Sequence, residues 1–397
     1  MVPSTRLFAY LLIVCAIAVP VRAQDSHDHD HAAAAPAWQW TPDANVFFGF
    51  NYQHRKFTDF SAWESQNWFM LDGARDFGRG RLTVIGMASL EPFTLQALGS
   101  PQVFQTGEAY HSAPLIDYQH PHDLLMQLGA TYRVEGERLV TTIGGDLVGP
   151  PALGPTPFMH RASARNNPQV PLTHHNLDST HITAGVITGA IGTRSATIEA
   201  SVFRGEEPND NRLNIDEPRL NSWSIRAGWR RGGWSAQVSG ARLHQPESFD
   251  PYDMTRLTSS IEFNGLAKQR PLAATIAWGE NREIHGNLDG YLLEWDYEIA
   301  ARGTIYGRGE IAAKDILGLG SLHPKGFFHF HPISRVAAGT LGYVWDLPHV
   351  RYGRLGIGGD ATLYHVSENL LLPYGAPSSF HIFLRWRPGG SVHEHMH

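Results

Sequence analysis

The chain has 397 residues, 42% of them hydrophobic and only 18% charged, with 40 Gly, 11 Trp, one Cys, 22 His and a formal net charge of -6. Plentiful aromatic and β-branched residues exclude intrinsic disorder. One Cys excludes a disulfide scaffold, a single long apolar run excludes a polytopic helical membrane protein, and the charge gives no footing for nucleic acid.

The N-terminus reads as an export signal over residues 1–23. Arg6 supplies the positive start, Leu7 to Val19 the apolar stretch, and Val21-Arg22-Ala23 the small residues before a cleavage point at Gln24. Cys15 leaves with the signal, so the expected mature chain is cysteine-free. Residues 24–45 form a His/Asp-rich segment, residues 46–388 the main domain, and residues 389–397 a His-rich tail.

From residue 46 onward the chain breaks into alternating runs. Trp223, Ile225, Ala227 and Trp229 interleave with Ser224, Arg226, Gly228 and Arg230. Phe380, Ile382, Leu384 and Trp386 interleave with His381, Phe383, Arg385 and Arg387. Successive strand side chains point to opposite faces, so each run has one apolar and one polar face. A soluble sandwich and a transmembrane barrel both fit this pattern. The runs are about ten residues or longer, as a tilted membrane strand requires at ~9–11, whereas soluble strands average ~5–6. Ionisable groups sit mid-strand on the polar face, and Trp residues gather near strand ends, as interfacial girdles do.

Strands are expected at 46–56, 67–77, 80–92, 123–134, 138–149, 181–192, 194–206, 222–232, 234–245, 253–266, 270–281, 289–302, 304–316, 333–346, 350–366 and 378–388. Fourteen or eighteen also fit, because the first two runs alternate poorly. Short connections (Gly78-Arg79, Thr193, Gly233, Gly303) alternate with long ones at 57–66, 93–122, 150–180, 207–221, 246–252, 282–288, 317–332 and 367–377. Short periplasmic turns, long outer loops and periplasmic termini produce this order. The expectation is an all-β, antiparallel up-and-down barrel in the outer membrane.

The mature chain thus resembles a Gram-negative outer-membrane β-barrel over its whole length. The segments Glu91-Pro92-Phe93-Thr94-Leu95, Phe104-Gln105-Thr106-Gly107-Glu108 and Asp117-Tyr118-Gln119-His120-Pro121-His122-Asp123 are similar to those of an uncharacterised family of exported bacterial proteins. That resemblance implies a link to metal-handling gene neighbourhoods. Many such barrels end in an aromatic residue read by the barrel-assembly machinery. Here the last strand closes near Trp386 and a tail follows, so the signal falls at Phe383 to Trp386 or the machinery tolerates the tail.

Histidine is the excess that a barrel alone does not explain. His27, His29 and His31 lie in one tail and His393, His395 and His397 in the other. Beside carboxylates, such imidazoles can hold Cu or Zn loosely, or they can simply solubilise the ends. No cofactor is required. In the long loops, His120 and His122 are two apart and would face one ion in an extended segment, with Asp123 orienting one of them. His174 and His175 are further candidate ligands. The competing reading is that these histidines anchor an ordered loop plug through hydrogen bonds. Two loops of about 30 residues, rich in Pro, Phe and Met, are expected to be ordered, at least one of them as a constriction inside the barrel.

On the inward face, Glu294, Asp296 and Glu298 come near Arg308 and Glu310, followed by Arg354, Asp360 and Arg385. These charges either set up a field across a lumen or form a salt-bridge network that fills a narrow barrel. Catalytic pairs such as His181 with Asp178, or His365 with Asp360, have no motif around them, so no enzyme is expected. The reading is a porin-like channel for small solutes or metal ions, set in outer-membrane lipid. A plugged barrel that binds or adheres is the alternative, and a barrel-borne hydrolase a more distant one.

Overall fold

The computed structural model describes residues 37–388 except 112, 249, 285, 318–332 and 349. They form a closed sixteen-strand antiparallel barrel. In chain order the strands are β1 (Gln39–Arg55), β2 (Thr58–Glu64 continued by Asn67–Phe77), β3 (Gly80–Ala88), β4 (Leu125–Glu135), β5 (Val140–Gly149), β6 (Thr183–Gly192), β7 (Ala196–Phe203) and β8 (Ser222–Arg231). Then come β9 (Trp234–Leu243), β10 (Met254–Ala267), β11 (Arg270–Glu283), β12 (Gly286–Ala300), β13 (Gly303–Lys314), β14 (Ser334–Asp346), β15 (Arg354–Val366) and β16 (Ser378–Arg387).

Each strand pairs with its neighbour in sequence, and Val46–His54 of β1 pairs with Ser378–Trp386 of β16 to close the cylinder. Closure removes both sheet edges, so every wall N–H and C=O has a ladder to join. Gly49 sits where this seam is tightest: a Cβ there would fall 2.3 Å from the Ile382 carbonyl oxygen.

The outer face is apolar. Ile143, Ile187, Ile225, Val238, Ile276, Leu293, Leu341 and Ile382 are all exposed on it, with Ile276 and Leu341 at 63%. Only lipid satisfies so continuous a band of exposed aliphatic side chains. Trp223, Trp229, Trp234 and Trp345, also exposed, lie toward strand ends.

The strand boundaries depart furthest from the sequence expectation at the start of the barrel, and the expected loop at 282–288 is also shorter, with Glu283 pairing to Gly286. The first strand begins at Gln39 rather than 46, and Gln39–Val46 pairs with Asn67–Ala74. The expected long loop at 57–66 is instead a two-residue turn, because Arg55 pairs with Thr58 and Thr58–Glu64 climbs back along β1. Strand β2 is therefore one stave broken at Ser65-Gln66, where Phe47 N–H donates to the Gln66 carbonyl at 2.9 Å. The turn is missed because the outward residues Asp59 and Ser61 are polar, which erases the lipid-facing alternation.

The interior is filled by chain. Two loops, 89–124 and 150–182, enter the lumen and carry most of its buried residues. Phe158, Met159 and Val170 pack on Trp68, Met87, Met126 and Val148 of the early strands. Val103, Phe104 and Leu172 pack on Ala312, Val336, Ala338 and Val366 of the late ones. The inner surface of this membrane barrel thus serves as the core of a globular domain. These loops carry the single-turn helices α1 (Glu91–Thr94) and α2 (His174–Leu177), and the connection before the last strand carries α3 (Leu371–Tyr374).

Candidate functional site

The charges on the barrel wall are matched by charges on the 150–182 loop. Arg161 is 1% exposed. Its Nε donates to Glu294 at 2.6 Å and its Nη1 to Asp178 at 3.0 Å. Glu294 also accepts from Arg308 Nε at 2.6 Å, and Arg308 Nη1 donates to the Gln169 carbonyl at 2.7 Å. One wall carboxylate is thereby shared between a loop arginine and a wall arginine. Lower on the same strand, Asp296 accepts from Arg165 at 3.0 Å and from Asn166 at 2.5 Å. Glu310 accepts from the Thr173 backbone and hydroxyl, each at 3.1 Å, and Lys314 Nζ donates to the Leu172 carbonyl at 2.8 Å. Arg385 bonds both Asn166 and Asp346. Removing a single partner would leave an uncompensated buried charge, so the network holds the loop in one pose.

A row of imidazoles runs through this plug. Ring centroids are 5.5 Å apart from His122 to His181, 5.2 Å from His181 to His174 and 5.3 Å from His174 to His175. Three of the four are oriented through Nδ1. That atom lies 2.8 Å from Glu91 Oε2 in His122, 2.7 Å from Asp178 Oδ1 in His174 and 2.8 Å from the Asp178 carbonyl in His181. Carboxylate and carbonyl oxygens accept, so Nδ1 carries the proton in each. Burial pushes His174 below its ordinary value and His181 well below it. Burial opposes the charge on His122 too, but the adjoining Glu91 carboxylate overcomes it and raises the imidazole. Burial likewise pushes Glu91 up, and His122 outweighs it to hold the carboxyl below its usual range.

This pair gives a pH dependence with a definite sign. The Glu91 contribution is present above its ordinary 4.5 and is lost as the pH falls through its lowered folded value. The His122 contribution is present below its ordinary 6.5 and is lost as the pH rises through its raised folded value. Asp123, which raises His122, and Arg212, which lowers it, are the other charges facing the ring. Plug anchoring should therefore be strongest between 4.5 and 6.5 and weaken on both sides. Limited proteolysis of the detergent-solubilised barrel from well below pH 4.5 to well above pH 6.5 measures it. Glu91→Gln should flatten the profile, and an equally steep profile in that variant would remove the pair as its source.

At the end of the row, His175 lies between two carboxylates. Its Nε2 is 3.6 Å from Glu108 Oε1 and its Nδ1 is 3.4 Å from Glu207 Oε1. Neither nitrogen makes a hydrogen bond, although the residue is only 6% exposed. Burial drives the imidazole well below its ordinary value. Glu108 also bonds His120 Nε2. Burial opposes its charge, but His120, His175 and Arg212 hold it well below the usual carboxylate range. Burial, then the neighbouring Glu108 and Glu247, push Glu207 well above that range. Two adjoining buried carboxyls cannot both ionise cheaply. Gly107, at φ +114°, lets the chain run flat against the ring: a Cβ there would sit 2.5 Å from His175 Cγ.

The expected ligand pairing of His120 with His122 does not form. The two diverge, His120 to Glu108 and His122 to Glu91, and Asp123 pairs with Arg212 at 3.3 Å rather than orienting either one. His174 and His175 are brought to one cluster, but the partners of His175 are Glu108 and Glu207, which sequence reasoning missed because they lie on two other loops. On the wall, Glu294, Asp296, Arg308, Glu310 and Arg385 all bond to the plug. Asp360 bonds His381 and Tyr306, and Arg354 bonds Glu298 and Asp346. Neither catalytic pair assembles: His181 reaches the Asp178 backbone, not its carboxylate, and His365 is exposed while Asp360 is buried. His27, His29, His31, His393, His395 and His397 lie outside the described residues.

No family model and no curated protein matches the chain. Solved structures do. An anion-selective porin from Comamonas acidovorans superposes with a TM-score of 0.51 at 12% identity, covering 88% of this chain and 100% of that one. OprB of Pseudomonas putida, in its high-pH structure, superposes with a TM-score of 0.55 at 9% identity, covering 88% and 94%. The fold is that of an outer-membrane porin. At such identities the likeness is one of wall and topology, and the plug contacts described above are read from this chain's own residues.

Proposed function

We propose that this protein is an outer-membrane channel for small solutes, in a state closed by its own loops. One observation supports the reading above the others. The 150–182 loop is tied to inward charges on at least three strands, through Arg161 to Glu294 on β12, Thr173 to Glu310 on β13 and Asn166 to Arg385 on β16. A wall that carries charges complementary to a loop is built to hold that loop in the lumen. These three ties are polar or ionic, which suits docking that can be undone. Lipid surrounds the apolar band, export and barrel assembly place the chain in the outer membrane, and the order of turns favours periplasmic termini.

Planar-bilayer recording tests this reading. Wild type should be silent or weakly conducting. A variant in which residues 156–172 are replaced by a short Gly-Ser linker should show large, stable steps. Folding is verified by heat-dependent migration on a gel. If the folded variant conducts no more than wild type, the plugged-barrel alternative, a binding protein without a path, takes its place.

A further inference from the structure

We propose that Glu108, His175 and Glu207 form a binding site for one divalent transition-metal ion of the Zn(II) class. One ligand atom from each of these residues lies within 4.8 Å of the other two. The decisive feature is His175. A buried imidazole nearly always has a partner on at least one nitrogen, and an unsatisfied buried polar atom costs about 1–3 kcal/mol. His175 has none on either nitrogen while two carboxylates stand at 3.4 and 3.6 Å, too far or too poorly aligned for hydrogen bonds. An ion would take one of these two nitrogens and one oxygen from each carboxyl, atoms that stand within 4.8 Å of one another and would draw in toward the roughly 3.3–3.6 Å between ligands of a tetrahedral ion with bonds of about 2.0–2.2 Å.

The surroundings fit. One nitrogen and two carboxylate oxygens are a donor set that Zn(II) accepts, with a water completing four. His120 holds the Glu108 carboxylate from outside the cluster, and its own Nδ1 lies 2.7 Å from the Pro121 carbonyl, so the ligand is oriented. Glu247 adds a further carboxyl to the Glu207 environment. Glu108, His175 and Glu207 come from three different loops, so an ion there would also cross-link the plug to the 204–221 loop. The proposal stands whether or not the lumen conducts.

The test is metal retention by the full chain, folded in detergent, loaded with Zn(II), and passed over a weak chelating resin that strips the histidine-rich ends. Metal per chain is then measured by atomic emission. Wild type should retain one Zn(II), and His175→Gln, whose ends are intact, should retain none. Should His175→Gln fail the gel test for folding, Glu207→Gln removes one ligand charge at nearly unchanged shape and should likewise lose the ion. Retention of no metal by wild type, or of equal metal by wild type and a folded variant, would overturn the site.

Discussion

Arg161→Ala is expected to free the 150–182 loop from the lumen. The guanidinium bridges the wall carboxylate Glu294 and the loop carboxylate Asp178, at 2.6 and 3.0 Å, with all three side chains about 1% exposed. Truncation leaves two buried carboxylates with one fewer cation. Breaking a buried pair from one side costs about 3–5 kcal/mol. The barrel wall, closed by its own ladders, should survive. Two readings should change together: the loop should become cleavable by added protease, and bilayer conductance should rise. Arg161→Lys keeps the charge but loses the forked geometry that serves two acceptors, so it should fall between. A protected loop and unchanged conductance in Arg161→Ala would show that the remaining polar ties and the apolar contacts of Phe158, Met159 and Val170 hold the plug without this guanidinium.

Leu341→Arg separates a membrane barrel from a water-soluble one. Leu341 points outward from mid-β14, 63% exposed, flanked across the ladders by Gly307 and Ala361. In water, exchanging so exposed a leucine would shift stability by ~0.5 kcal/mol or less. In a bilayer the arginine would sit near the midplane and cost about 2–4 kcal/mol. Reversible urea unfolding in lipid vesicles measures the difference, with Leu147→Arg, nearer a strand end, expected to cost less. A neutral Leu341→Arg would mean that the apolar band faces something other than lipid.

The fold was legible where lipid touches it. Alternation is a two-phase signal: it is written when one face of a strand meets hydrocarbon and the other does not. Strands β8, β12, β14 and β16 meet that condition and stand out in the sequence. The stretch Thr58–Glu64 does not, because Asp59 and Ser61 face outward there, so a strand was read as a loop. The loop interiors are legible as ordered, and at least one of them as a constriction inside the barrel. Their Pro, Phe and Met content indicated packing, while nothing local indicated what they would pack against.

The candidate site shows the same division more sharply. His174 and His175 are adjacent in sequence and were singled out, yet their roles differ completely. His174 is fixed by Asp178, four residues on, within a single turn of helix. His175, on the other side of that turn, meets Glu108 from 67 residues earlier and Glu207 from 32 later. Spacing rules describe ligands on one element and are blind to ligands gathered from three loops.

By itself the sequence determined a barrel of about sixteen staves, the direction of its faces and the inward placement of charges. These follow from a period of two and from the cost of charge in lipid, both of which act residue by residue. Whether those charges face an open lumen or a plug was decided only in the tertiary structure. Glu294 carries the same alternation signal in either case, and its partner Arg161 lies 133 residues away. No local rule selects one guanidinium for it; the closure of the barrel around its own loop does.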